Sequence, residues 1–423
     1  MKFSGQPYSL RLFIGDCFGG IIAALIAIPY GLAMASLMGL PPVLGIYTSI
    51  LTAPVTALLG RNPVLIGGTA SATVPFIALA VKQQGLAGAA KICIAASCFM
   101  LLFFVLRLGR HIQRVPQAVV TGFSCGIGGL MLISQLDTIF GVGSPLTRSA
   151  GSPMTQLFRV LERLGGMQTA PLILGVIVIA AAMLISRFSA RLPAPLIAVG
   201  IAIAAAKVFG FHEKEVGTLP LGMPAVIGFS WLRSDWYNIV VPAIGLAFVS
   251  SVNILITSRV VEHFRGWHQH MKKSDADAEL GAYGLANLVG GLFGAPMSVG
   301  IPARSLASVR CGATTSVSNI LHAVFLIAFF LMGAGFVAQI PIPALAGVTA
   351  WMGICLLEWS TWRRLPKMRR VDAAAFLVTA VAVLVTNAVA AVAIGCSLFM
   401  IHSLYVRFTT TTRIEAVANE PQP

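Results

Sequence analysis

Charge is what this chain has least of. Of its 423 residues, 10% are Asp, Glu, Lys or Arg, against about 25% in a soluble domain. A soluble fold covers its surface with such residues, so a soluble enzyme is excluded, and so is a disordered chain. Acids are scarcer still: 14 Asp and Glu against 29 Lys and Arg, a net charge of +15. The seven cysteines show no CxxC or zinc-type spacing and mostly lie in apolar stretches, so they read as small core hydrophobes rather than metal ligands. There is no HExxH and no pair of carboxylates inside an apolar stretch, so nothing points to an enzyme or to a cofactor. Apolar and polar residues do not alternate as they would in an outer-membrane barrel. A cleavable signal peptide fits poorly, because the first apolar stretch contains Pro29 and runs straight into a second one.

What is abundant is long apolar sequence, with 57% hydrophobic residues. A helix needs roughly 20 apolar residues to cross a bilayer. Such stretches fall near 14–36, 41–60, 88–108, 117–135, 170–187, 193–210, 238–258, 278–294, 315–337, 341–357, 373–387 and 388–407. Two more, 69–81 and 301–310, are too short or too polar to cross alone. Together they give an all-α polytopic membrane protein of fourteen segments, with both termini on one side. If that side is the cytoplasm, 20 basic residues lie inside and 8 outside, and only Arg304 belongs to neither set. This is the positive-inside bias. It accounts for the basic balance with a lipid bilayer as partner and without nucleic acid, and it places the chain in the cell membrane.

The two short segments carry the functional signal. The first, RNPVLIGGTASATVPFIALAV (61–81), is punctuated by Gly67, Gly68 and Pro75, with Thr69 and Ser71 able to cap the helix that follows. The second, GAPMSVGIPARSLASVRCGA (294–313), opens a short helix at Gly300 and Pro302. Each follows an apolar extended stretch, PVLI or PMSV, and each is third in its half of the chain. Paired interruptions of this kind mark a transporter's binding site. Broken backbone at membrane depth persists only where protein or a water-filled cavity surrounds it. Two helix starts there aim free N–H groups and positive dipole ends at one spot, which forms an anion cradle. The competing reading is two ordinary Gly/Pro kinks.

Arg304 sets the sign of the site. It sits in the first turn of the second short helix, and every acid falls at a span end, in a loop or in a tail. A lone Arg at depth costs at least about 2.5 kcal/mol, and a cation with no fixed counter-charge favours an anionic ligand. Alternatively, Arg304 snorkels to one face or pairs with a boundary acid such as Glu279.

Three stretches resemble one family. IPYGLAMASLMGLPPVLGIYTSI (28–50), GFSCGIGGLMLISQLDTIFGV (122–142) and ELGAYGLANLVGGLFGAPMSVGIPARSLASVRCGATTSVSN (279–319) are similar to signatures of the sulfate permease (SulP) family, in the family's order. The resemblance covers nearly all of 12–407. It implies two inverted seven-segment repeats, 12–210 and 238–407, as in uracil permeases, flanked by a cytoplasmic N-terminus (1–11) and a short tail (408–423). Segments 1–4 and 8–11 would form a core, and segments 5–7 and 12–14 a gate. The implied activity is elevator-type transport of small anions such as sulfate, bicarbonate or chloride. The implied site comprises Tyr30 and Met34, the helix start Thr69, Ala70 and Ser71, the second start Ala303, Arg304 and Ser305, and Asn253 with Thr257.

The chain departs from the family pattern in three places. Asn253 stands where an acid implicated in sodium or proton coupling is usual, and Asn387 replaces a later acid. About 16 polar residues follow Arg407 where the family carries a C-terminal regulatory domain. Asn253 leaves the empty pocket more positive, which predicts exchange or passive uniport rather than cation-driven uptake. A homodimer is compatible with the resemblance, although the short tail removes part of the usual contact. A nucleobase permease of the same fold and an anion channel are the alternatives. Elsewhere, His263, His268 and His270 read as part of a solvated basic loop, RRLPKMRR (363–370) as an inside anchor, and His322 as a polar contact between helices. The stretch 143–169 reads as a surface amphipathic helix, and Trp231 and Trp236 as an interfacial belt.

Overall fold

The computed structural model describes residues 2–3, 6–7, 9–112, 116–142, 153–188, 192–217, 236–265, 275–386 and 390–402. Asn387, Trp231, His268, His270 and the first part of 143–169 lie outside the described residues, while His263 falls within α9. An apolar chain removed from water satisfies its backbone groups internally, and helices do this segment by segment. After a two-residue pairing of β1 (Lys2–Phe3) with β2 (Gln6–Pro7), the first half runs α1 (Leu10–Leu37), α2 (Val43–Leu59), β3 (Gly67–Thr69), α3 (Val74–Val105), α4 (Gly109–Ile112), α5 (Gln117–Ile139), α6 (Pro153–Glu162), α7 (Thr169–Phe188) and α8 (Ala194–Phe209). The second half runs α9 (Trp236–Arg265), α10 (Ala276–Leu292), β4 (Ser298–Gly300), α11 (Pro302–Arg310), α12 (Val317–Ala338), α13 (Ile342–Leu356), α14 (Trp359–Arg364) and α15 (Arg370–Val385), and a last helix, α16, spans Ala390–His402.

Among the described residues, seven helices are long and apolar enough to cross a membrane, and the remaining apolar helices are shorter. The stretches 69–81 and 88–108 join into one element, interrupted at Gly85, whose φ of 70° and ψ of −166° break the helix. Only glycine takes that conformation without strain. The outer surface is apolar, with Val208 and Met332 79% and 89% exposed, as expected of helices that face lipid.

The helices pack in two groups. In one, α3 lies against α9 and α10, α2 against α10 and α12, and α1 against α2, α11 and α12. In the other, α5 lies between α13 and α15, and α7 packs on α8 and α13. Small residues set these distances. At the crossing of α1 and α2, a Cβ added to Gly45 would fall 1.9 Å from the Gly31 carbonyl oxygen.

Candidate functional site

The two interrupted segments meet. β3 and β4 pair antiparallel, with Gly67 opposite Gly300 and Thr69 opposite Ser298. Each strand runs at once into a helical start: a 3-10 turn at Ser71–Thr73 leading into α3, and α11 at Pro302. Because the strands are antiparallel, the two starts turn toward the ladder from opposite ends, about 10 Å apart by strand rise. β3 begins four residues after the start of PVLI, and β4 two residues after the start of PMSV.

Neither start is capped by a side chain. The residue before the 3-10 turn is Ala70, and the one before α11 is Ile301; neither makes a capping bond. The expected caps from Thr69 and Ser71 are therefore absent. Thr69 belongs to the ladder, and its buried Oγ1 has no partner, while Ser71 is already inside the turn. Among the described residues, Ala72 at the first start, and Ala303 and Arg304 at the second, donate to no backbone carbonyl outside their own helices, while Ser71 is hydrogen-bonded to the Tyr30 phenol through its backbone and its side chain. Uncapped N–H groups at a helix start carry the positive end of its dipole.

Arg304 lies between these features and is fully buried. Its Nη1 donates to Ser49 Oγ at 3.0 Å and lies 3.5 Å from the Gly67 carbonyl oxygen. Its Cζ is 4.9 Å from the centre of the Tyr30 ring, a contact worth about 0.5–2 kcal/mol. Its Nε and Nη2 have no partner, and among the described residues it forms no ion pair. An unsatisfied buried donor costs about 1–3 kcal/mol, and more when charged, so two donors are left that an anion would satisfy. Glu279, the nearest competitor on sequence grounds, instead accepts the backbone N–H groups of Arg61 and Asn62. Asp16, expected at a span end, is buried within α1 and accepts from Thr314 N at 2.9 Å and from both Thr315 N and its hydroxyl.

The other expected site residues sort by what they touch. Ala303 is exposed at the start of α11, and Ala70 and Ser71 are buried. The Ser305 hydroxyl donates to the Ile301 carbonyl at 2.9 Å and accepts from Ile66 N at 2.9 Å. Its proton is thus committed to the start of its own helix, and its oxygen ties that helix to the residue before β3. Met34 is fully buried in the apolar core. Thr257 donates to the Gly300 carbonyl at 3.1 Å and lies 3.5 Å from Asn253 Oδ1. Asn253 faces a mostly apolar crevice walled by Val119, Phe123 and Ser124 of α5, Phe248 and Val252 of α9, and Val392 of α16.

Sequence reasoning missed the residues that hold the ladder. Asn287 exchanges two bonds with the backbone of Ser298, at 2.6 and 2.9 Å. Asn319 donates to the Leu65 carbonyl at 2.8 Å, and Asn62 to the Ser258 carbonyl at 3.0 Å. It missed Ser49 as well, one hydroxyl among several on an apolar helix.

The model of the sulfate permease family matches residues 13–381 of this chain. The chain belongs to the sulfate permease family. Within that family it is similar to YvdB of Bacillus subtilis, 25% identical over 100% of this chain and 79% of that protein. It is also similar to the bicarbonate transporter BicA of a Picosynechococcus strain, at 28% identity over 95% of this chain and 72% of that one. In fold it matches the transmembrane domain of a cyanobacterial BicA, with a TM-score of 0.81 at 23% identity over 91% of this chain and 98% of that one. Murine Slc26a9, an anion transporter solved in the inward-facing state, matches with a TM-score of 0.84 at 20% identity, over 94% of this chain and 69% of that one. As a member of this transporter family the chain is a multi-pass membrane protein.

Proposed function

We propose that the chain carries small inorganic anions of the sulfate, bicarbonate and chloride class across the cell membrane. The observation that carries the reading is Arg304: a buried guanidinium with two free donors and no carboxylate, beside two uncapped helix starts. The anion sits between the starts, held by Arg304 and by the N–H groups of Ala72 and Ala303, with Tyr30 stacked on the guanidinium and bonded to Ser71. Thr69, Ala70 and Met34 shape the pocket, Ser305 and Thr257 hold its backbone, and Asn253 opens it toward the crevice.

In this reading the fold is two inverted seven-segment repeats with both termini in the cytoplasm. The group built on α1, α2, α3 and α9–α12 is the core, and the group built on α5, α7, α8, α13, α15 and α16 is the gate. The apolar crevice between α5, α9 and α16 runs along their boundary, which supports elevator-type movement of core against gate. Asn253 can neither release a proton nor offset a sodium charge, so transport is exchange or passive uniport. A homodimer is compatible with this arrangement.

Counterflow in proteoliposomes with radiolabelled sulfate, bicarbonate and chloride tests the reading. Uptake of one of them driven by internal unlabelled anion, with no cation gradient, is expected. Uptake that needs a sodium or proton gradient would contradict the exchange mode, and currents far above carrier turnover would favour a channel. Displacement of bound anion by uracil would favour a nucleobase permease.

A further inference from the structure

The connection from α13 to α15 carries five cations within eight residues: Arg363, Arg364, Lys367, Arg369 and Arg370. All five are exposed, and none is in an ion pair among the described residues. The nearby acids, Glu358 and Asp372, stand just outside the cluster, one on either side.

Charge that serves only to fix the side of a membrane segment needs no defined shape. This connection has one. It folds as α14 followed by a 3-10 turn at Leu365–Lys367. The Trp362 ring stands edge-on to Phe376, with centroids 5.2 Å apart at 81°. Trp359 Nε1 donates to the Ile354 carbonyl at 3.1 Å, and Leu365 packs on a small cluster of Cys125, Phe376 and Ala380. Both tryptophans nevertheless stay exposed, at 56% and 40%. Tryptophan with one polar edge prefers the headgroup level of a bilayer, and a fixed cluster of cations at the end of apolar helices attracts anionic headgroups.

We propose that the stretch 359–370 is a binding platform for the headgroups of anionic phospholipids. The cations take the phosphate charge while Trp359 and Trp362 insert beside the acyl boundary. A soluble polyanion would satisfy the cations but would leave the two indoles in water, whereas a phospholipid covers both.

The test uses the full chain, purified in detergent and offered equal amounts of phosphatidylglycerol and phosphatidylcholine, with retained lipid counted by native mass spectrometry. Phosphatidylglycerol is expected to be retained over phosphatidylcholine by roughly tenfold, with the preference falling toward parity near 1 M salt as screening shortens. The triple variant Arg363→Gln, Lys367→Gln, Arg370→Gln should lose the preference. A control pair elsewhere on the surface, Arg187→Gln with Lys214→Gln, should keep it. If the triple variant does not fold, quenching of wild-type tryptophan fluorescence by brominated phosphatidylglycerol, compared with brominated phosphatidylcholine, decides instead. Equal retention or equal quenching of the two lipids by the wild type would overturn the proposal, and so would a preference that survives in the triple variant.

Discussion

Gly68 and Arg304 share one space: a Cβ built on Gly68 would fall 2.2 Å from Arg304 Nη1 and 2.8 Å from Ser49 Oγ. The guanidinium reaches the ladder only because this residue has no side chain. Gly68→Ala should push Arg304 off Ser49, at a cost of about 1–3 kcal/mol for an overpacked core. Anion affinity should then fall by about tenfold or more on that scale. Equilibrium binding of labelled anion, alongside a melting curve that shows retained fold, checks it.

Ser49 is the one side chain that accepts a bond from Arg304 among the described residues. Ser49→Ala removes the acceptor without adding bulk. A hydrogen bond to a charged group is worth about 1.5–3 kcal/mol, and Tyr30 still holds the cation from its other side, so the anion affinity should drop by roughly tenfold. Ser49→Thr, which restores a hydroxyl, should recover part of it.

Asn253 lies one helical turn before Thr257, whose hydroxyl is bonded to the Gly300 carbonyl. Asn253→Asp would place a negative charge on the crevice wall beside that pair. Anion uptake by this variant should become sensitive to an imposed sodium or proton gradient, where the parent is insensitive. Counterflow with and without the gradient reads the difference.

Glu279 is buried and accepts the N–H groups of both Arg61 and Asn62. Both bonds end on Oε1, so Glu279→Gln can keep the accepting oxygen in place but removes the charge that strengthens the two bonds. A loss of about 1.5–3 kcal/mol in stability is expected, seen as a lower melting temperature, with anion affinity little changed in the folded fraction.

The periodicity and punctuation of the sequence made the helices legible, because membrane helices satisfy their own backbone and so depend on local sequence. The two interruptions were legible for the same reason: Gly67, Gly68 and Pro302 mark them directly. The side-chain capping by Thr69 and Ser71 did not follow, since whether a helix start is capped depends on where the preceding strand carries the hydroxyl. Asp16 and Glu279 read as boundary acids, yet both are buried, because their partners, Thr315 and Asn62, are more than 200 residues away. Ser49 was invisible for the same reason: nothing near it in sequence singles out one hydroxyl in an apolar helix.

The central claim is that the unpaired charge of Arg304 is what binds the anion. Titration of labelled sulfate, bicarbonate and chloride into purified wild type and Arg304→Met tests it most directly. Removing an unpaired buried charge should leave the empty protein as stable or more stable by about 1–4 kcal/mol, so loss of fold does not confound the comparison. The account predicts saturable binding of at least one anion by the wild type and a loss of that binding by well over tenfold in the variant. Undiminished affinity in a folded Arg304→Met protein would contradict it.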